Sequence, residues 1–78
     1  MQASGKDEVN EARAKFMIEL ARSGHCFKKM CLDNNLVYST LRTRMYDSKY
    51  FDLEIANFFL EKMGSSYRFN NKIQFIKV

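Results

Sequence analysis

A twenty-residue segment at residues 27–46, FKKMCLDNNLVYSTLRTRMY, constrains the fold of this chain more than any other feature. Its first part repeats apolar residues at helical spacing with charged residues between them, so it predicts a short helix with one buried face. Asn34 and Asn35 follow, and asparagine tolerates the left-handed backbone conformation that ends helices and forms turns. A second helix is expected from Tyr38 to Met45, with an outer face of hydrogen-bond donors and cations. The segment therefore predicts two short helices joined at a sharp bend.

This segment resembles the helix-turn-helix DNA-binding domain of phage repressors, the group around lambda repressor and Cro. Asn35 occupies a motif position that is usually glycine, a tolerable exchange because both residues accept positive φ. Asn34 and Arg44 occupy positions that are commonly apolar, and Met45 is expected to take over the packing from Arg44. The motif's apolar and small positions are filled by Met30, Cys31, Leu36 and Leu41. The resemblance implies a mainly α-helical, four-helix domain of the lambda-repressor type.

The resemblance also implies a site, because the second helix of the motif enters the major groove of DNA. Arg42 is the strongest candidate for base readout, since a guanidinium can bond both acceptors of guanine. The full set expected to read bases is Tyr38, Ser39, Arg42 and Thr43. The set expected to contact the DNA backbone is Lys28, Lys29, Arg44 and Lys49. The same side chains also fit an ordinary solvated helix surface, with Tyr38 packed at the edge of the core.

Composition narrows the class of protein. Seventy-eight residues make one small domain, 46% hydrophobic residues favour a packed fold, and a net charge of +4 favours polyanionic partners. Cys26 and Cys31 stand five apart on one expected helix, so they cannot form a disulfide and are expected to be reduced, buried thiols. The sequence contains no long apolar run and no signal-peptide pattern. We therefore expect a soluble cytoplasmic protein without a metal site.

Outside the motif, two further helices are expected within a domain spanning residues 9–64. Residues 1–8 are polar and are predicted to be a disordered tail. Apolar residues at helical spacing predict a first helix at Val9–Ser23. A further helix is expected at Leu53–Met63, with Asp52 as its N-cap, and a glycine follows it.

Residues 65–78 change from helical to alternating periodicity and predict a β-hairpin. A three-residue loop at 70–72 is preferred because it places Phe69 opposite Ile73 and, two residues along, Tyr67 opposite Phe75. In this register the second strand extends beyond the first. Its free edge could pair with a second copy, and resemblance to small phage proteins supports a homodimer formed through this tail.

These observations favour a small sequence-specific transcriptional regulator of phage or mobile-element type, a repressor that binds double-stranded DNA as a homodimer. The alternative is a protein-interaction module, such as an antitoxin, an adaptor or a phage-encoded inhibitor, that uses the hairpin and the face around Phe58. An enzyme is the least favoured class, because His25 is the sole histidine and the chain has no glycine-rich phosphate loop. No cofactor, membrane contact or small-molecule substrate is expected.

Overall fold

The computed structural model describes residues 5–47 and 51–78. Their order along the chain is α1 (Gly5–Ser23), α2 (Phe27–Asp33), α3 (Tyr38–Arg42), a π-helical turn (Thr43–Asp47), α4 (Leu53–Lys62), β1 (Tyr67–Phe69) and β2 (Phe75–Lys77). The two strands form an antiparallel hairpin. The expected mainly helical class with a C-terminal hairpin is confirmed.

The first helix starts earlier than the sequence suggested. It begins at Gly5 and not at Val9, so residues 5–8, assigned above to a disordered tail, are helical. The spacing of apolar residues could not locate this start, because residues 5–8 are polar. Acidic residues such as Glu8 favour the first turn of a helix, since it lies at the positive end of the helix dipole. The remaining tail residues, 1–4, lie outside the described residues.

One apolar core joins α1, α2, α4 and β1. Phe51 belongs to it: the residue is 5% exposed, and its ring lies edge-on to Phe16 and Phe69 at centroid distances of 5.9 and 5.2 Å. Such aromatic pairs contribute about 0.5–1.5 kcal/mol beyond the area they bury. The buried set is Ala12, Phe16, Phe27, Met30, Cys31, Met45, Phe51, Ala56, Phe59, Leu60, Met63 and Phe69.

Both ends of α4 are formed as the sequence predicted. The Asp52 carboxylate accepts a hydrogen bond from the Ile55 backbone N–H at 3.1 Å, which is N-cap geometry. At the other end Gly64 has φ +77°, and the Ser65 N–H donates to the Leu60 carbonyl at 3.0 Å. This bond closes a Schellman motif. The left-handed conformation of Gly64 turns the chain so that backbone N–H groups after the helix can bond to carbonyls that have no partner within it.

The hairpin register differs from the expected one. Phe69 lies opposite Phe75, and Tyr67 lies opposite Lys77. The expected pairing of Phe69 with Ile73, and of Tyr67 with Phe75, is therefore wrong by two residues along the second strand. Because side chains alternate between faces with a period of two, the shift keeps the apolar residues on one face, where the Tyr67 and Phe75 rings stack at 4.7 Å.

The loop itself explains this shift. It has three residues as expected but occupies 71–73, closed by a hydrogen bond from the Asn70 N–H to the Gln74 carbonyl at 3.0 Å. The Asn70 side-chain oxygen accepts from the N–H groups of Lys72 and Gln74, at 2.8 and 3.0 Å, so Asn70 is held as the last residue before the loop. Ile73 then takes φ +61°, a conformation that β-branched residues rarely adopt.

The second strand also does not extend past the first. The Val78 N–H donates to the Ser66 carbonyl at 2.7 Å, so the ladder of the hairpin reaches residue 78. The expectation of an overhanging second strand is therefore wrong, because the two-residue shift moves the end of β2 back alongside β1.

Candidate nucleic-acid interface

The bend between α2 and α3 is built on the two asparagines. Asn35 has φ +59°, and the Leu36 N–H donates to the Cys31 carbonyl at 2.8 Å, which is a Schellman motif with asparagine in the glycine position. The Asn34 side chain donates to the Met30 carbonyl at 2.7 Å, which satisfies another carbonyl at the helix end. The predicted turn is confirmed, and α3 begins three residues after Asn35.

A π-helical turn follows α3 where a regular helix to Met45 was expected. The α-helical part ends at Arg42, and the π-helical turn covers Thr43–Asp47. A π-turn has i→i+5 hydrogen bonds and so displaces the following side chains relative to an α-helix. Met45 is fully buried, while the Arg44 side chain is 60% exposed. Met45 therefore fills the core in place of Arg44, as the sequence suggested.

An aromatic cluster brings the start of α2 next to the start of α3. The Phe27 ring lies 6.0 Å from the Tyr38 ring and 5.3 Å from the Tyr46 ring. The Lys28 ammonium lies over the Tyr38 ring, 5.7 Å from its centroid, a cation–π contact. Phe27 is buried, Tyr38 and Tyr46 are half-buried, and Lys28 and Arg42 are exposed. We call the surface formed by Lys28, Tyr38, Ser39 and Arg42 the α3 face.

The pKa shifts in this cluster follow from burial and neighbouring charge. Burial raises the pKa of Tyr46, Tyr38 and Cys31 raise it further, and the positive charge of Arg42 opposes the shift. The Arg42 guanidinium therefore lies within electrostatic reach of the Tyr46 phenol. Burial also raises the pKa of Cys31, with a smaller contribution from Cys26. Cys26 itself is exposed, so the expectation that both thiols are buried is wrong for Cys26, which precedes the helix as its N-cap.

The other predicted site residues are placed as follows. Ser39 and Thr43 are exposed, and the Thr43 hydroxyl donates to the Ser39 carbonyl at 3.1 Å. Lys29 is exposed and forms an ion pair with Asp33 at 3.2 Å. The Arg44 guanidinium lies 3.7 Å from the carboxylate of Asp52, the N-cap of α4, and such a surface ion pair contributes little to stability. Lys49 lies outside the described residues.

Tyr46 is a residue of this cluster that the sequence analysis did not select. Its signal was present, because Tyr38, Arg42 and Tyr46 follow one another at intervals of four, the spacing that brings side chains together on a helix. The helix expected from the motif ended at Met45, so it did not include Tyr46.

Charge is concentrated on the same segment. Residues 27–46 contain four basic side chains and one carboxylate, a net charge of +3, in a chain whose total is +4. The following helix α4 carries two exposed glutamates, Glu54 and Glu61. The charge distribution is thus uneven along the chain, and the basic part coincides with α2 and α3. Such a basic surface attracts polyanions.

Two other features are absent from the residues that the structure describes. Among residues 5–47 and 51–78, no group of three or more His, Cys, Asp or Glu side chains is arranged to hold a metal ion. Within the same two ranges, no helix combines the length and apolar character needed to cross a membrane. Comparison with protein-family models, curated proteins and solved structures finds no match to this chain.

Proposed function

We propose that this chain is a small sequence-specific DNA-binding regulator of phage or mobile-element type, which inserts α3 into the major groove. The observation that carries the proposal is the contact of Lys28 with Tyr38 on the α3 face, with the exposed Arg42 one helical turn further along α3. Exposed donors at the start of a short helix can reach base edges while the preceding helix crosses the phosphate backbone.

Within this proposal the side chains have different roles. Arg42 reads guanine through two hydrogen bonds, and the phenol of Tyr38 with the hydroxyls of Ser39 and Thr43 contacts neighbouring bases. Lys28 lies beside Tyr38 and binds phosphate, so it positions the helix without reading sequence. Lys29, Arg44 and Lys49 complete the proposed set of phosphate contacts, and Lys29 and Arg44 would exchange their carboxylate partners for phosphate.

The regulator is further proposed to act as a cytoplasmic homodimer, with residues 65–78 as the dimerisation element. Two copies related by a two-fold axis would read an operator with two matching half-sites. No catalytic step, cofactor or metal ion takes part in this function, which consists of occupying a DNA site as a repressor.

A salt titration of duplex binding tests the proposal. DNA is bound in a mobility-shift assay at several salt concentrations, using a duplex selected from a random pool. We expect log K to fall linearly with log salt, and we expect Lys28→Ala to reduce the slope by about one unit for one lost phosphate contact. Arg42→Ala should reduce the preference for the selected duplex over random DNA by about 1–3 kcal/mol.

Arg22→Ala is the matched control for Arg42→Ala. Arg22 is an exposed arginine on α1 that pairs with Glu19 at 2.9 Å, so its removal changes the net charge equally without touching the α3 face. This variant should keep the sequence preference. Equal losses in Arg22→Ala and Arg42→Ala would refute base readout by Arg42, and no duplex binding at low salt would refute the DNA-binding function.

A second candidate function is supported by an apolar groove between α3 and α4. The groove has a volume of about 200 Å³ and is lined by Leu36, Leu41, Glu54, Ile55, Phe58 and Phe59. Phe58 is half-buried there, with the Lys62 ammonium 5.3 Å from its ring centroid. A protein-interaction module, such as an antitoxin, adaptor or inhibitor, would use this groove and the hairpin, and it would be favoured if the duplex-binding assay is negative.

A further inference from the structure

The two outer edges of the hairpin differ in their hydrogen bonding. The end pairs of the ladder, Asn70 with Gln74 and Ser66 with Val78, are joined by backbone hydrogen bonds. In an antiparallel pair, hydrogen-bonded and non-hydrogen-bonded positions alternate. The odd-numbered residues of β1 and β2 therefore direct their N–H and C=O groups outward, away from the neighbouring strand.

The outer edge of β1 is already occupied. The Asn57 side-chain amide accepts from the Phe69 N–H at 2.8 Å and donates to the Phe69 carbonyl at 2.9 Å, so it forms the two bonds that a neighbouring strand would form. The Tyr67 N–H donates to the Ser65 hydroxyl at 3.0 Å, and the Tyr67 carbonyl accepts from the Arg68 guanidinium at 2.6 Å. All four outward groups of β1 have partners.

The outer edge of β2 is open. Within the part of the chain that the structure describes, the outward N–H and C=O groups of Phe75 and Lys77 have no hydrogen-bond partner. Ile76 and Val78 beside them are 43% and 74% exposed. An edge strand with free backbone groups and apolar side chains is a template for strand pairing.

A groove runs between this edge and α1. One part, of about 480 Å³, is lined by Glu8, Glu11 and Lys15 of α1 and by the chain from residue 72 to 76. The adjoining part, of about 210 Å³, is lined by Ile18, Tyr67 and Phe75, among others, and shares Lys15 and Phe75 with the first. The groove therefore has a polar end near the start of β2, where Lys15 and Lys72 stand with the two glutamates, and a more apolar end near Tyr67.

We infer that the β2 strand of a second copy of this chain pairs antiparallel with the open edge of β2, about a two-fold axis at Ile76. Phe75 and Lys77 then exchange four backbone hydrogen bonds with Lys77 and Phe75 of the partner subunit, and a four-stranded sheet forms. A two-fold axis requires the antiparallel direction, because both subunits use the same surface.

Only one register pairs all the outward N–H and C=O groups of Phe75 and Lys77 with the second copy. Centring the pair on Phe75 would require Ile73 to pair with the second copy, but Ile73 has φ +61° and is not extended. Centring it on Lys77 would place two lysines directly opposite each other, which is destabilising. Centring it on Ile76 brings the two exposed Ile76 side chains together at a non-hydrogen-bonded pair, where side chains are closest.

The groove is complementary to β2 in this register. Lys77 of the partner subunit would lie beside Phe75, at the end of the groove that carries Glu8 and Glu11. Phe75 of the partner subunit would lie beside Lys77, near the apolar end formed by Ile18 and Tyr67. The two carboxylates can receive the ammonium of Lys77 of the partner subunit, and the apolar surface of Ile18 and Tyr67 can receive the ring of Phe75 of the partner subunit. The inference rests on the proposed function only in that both require a homodimer. The observations that support the inference do not involve DNA.

Sedimentation equilibrium without DNA tests the interface. The parent chain should dimerise, and Lys77→Pro should weaken the dimer about thirtyfold, because proline removes two of the four backbone hydrogen bonds. The hairpin itself should survive, since the Lys77 N–H points away from β1 and proline is tolerated at such edge positions. Lys77→Ala retains the N–H and is the matched control, with a weakening of only a few-fold from the lost charge contact.

A cross-linking experiment tests the register separately. In a Cys26→Ser background, Ile76→Cys should form a disulfide-linked dimer, because cross-strand Cα atoms at a non-hydrogen-bonded pair are about 4.5 Å apart. Gln74→Cys should not cross-link, because the two copies of residue 74 would be about 14 Å apart, about 13 Å of it along the strand.

A monomeric parent chain, equal dimerisation of Lys77→Pro and Lys77→Ala, or cross-linking through residue 74 in preference to residue 76 would each overturn the inference. A parent chain that binds single half-site duplexes but does not dimerise would overturn this interface and leave the DNA-binding proposal intact. A chain that dimerises as described but binds no duplex would overturn the DNA-binding proposal and leave this interface intact.

Discussion

The Asn57 side chain should be one of the most important polar groups for stability. It bonds both the N–H and the C=O of Phe69, at 2.8 and 2.9 Å, across twelve residues of chain. Phe69 is 5% exposed, so water has little access to these backbone groups once the amide is removed. We therefore predict a large loss of stability for Asn57→Ala, although the residue belongs to no proposed binding site.

The magnitude follows from the two lost hydrogen bonds. A typical bond contributes about 0.5–1.5 kcal/mol net, and a buried group left unsatisfied costs about 1–3 kcal/mol. Partial opening of the hairpin would let water reach Phe69 and limit the loss, so we expect about 2–3 kcal/mol for Asn57→Ala. A domain of this size shifts its melting temperature by about 4–8 °C per kcal/mol, so the change is readily measured.

Urea unfolding followed by circular dichroism provides the assay, with Asn71→Ala as the matched control. Asn71 is an exposed loop residue, and its substitution should change stability by no more than about 0.5 kcal/mol. Asn57→Asp should be intermediate near neutral pH, because a carboxylate can accept from the Phe69 N–H but cannot donate to its carbonyl. A loss below about 0.5 kcal/mol in Asn57→Ala would refute the assignment of Asn57 as the bonding partner of β1.

Three further outcomes are expected from unfolding measurements. Asp52→Ala should lose about 1 kcal/mol because it removes the N-cap bond to Ile55, whereas Asp52→Asn should retain most of it. Gly64→Ala should lose about 1 kcal/mol because its φ of +77° strains any residue with a Cβ, and a neutral result would contradict that backbone conformation. The raised pKa values of Cys31 and Tyr46 mean that the folded chain retains protons that the unfolded chain releases at high pH. These two groups should therefore leave the free energy of unfolding unchanged below about pH 8.5 and lower it as the pH rises further, and a profile that rises above that pH would contradict these shifts.

The sequence was most informative where a local signal and the apolar pattern agreed. Asn35 and Gly64 both take the left-handed conformation expected from residue type, and Asp52 caps the helix that follows it. These features depend on a few neighbouring residues, so they can be recognised without knowing the tertiary structure. The candidate site was partly recognised in the same way, since the start of α2 and the start of α3 do meet at Lys28 and Tyr38.

The errors occur where another interaction overrides the preference of a single residue or of the apolar spacing. Ile73 takes a positive φ that its residue type disfavours, because the Asn70 side chain fixes the loop one residue later than expected. Phe51 lies outside the helices expected from the sequence, yet its ring packs between Phe16 of α1 and Phe69 of β1. The π-turn after Arg42 could not be inferred from periodicity, and within it the Arg44 side chain is exposed while Met45 is buried. None of these features follows from short-range spacing alone.

The unequal hairpin edges have a consequence for how many copies can associate. A small protein with an exposed edge strand is at risk of growing into a fibre, because each added strand offers a fresh template to the next. Here the amide of Asn57 fills the position of a third strand, so a molecule can extend the sheet on one side only. Joining the open sides of two molecules leaves occupied sides at both ends of the combined sheet, and growth by strand addition stops at two.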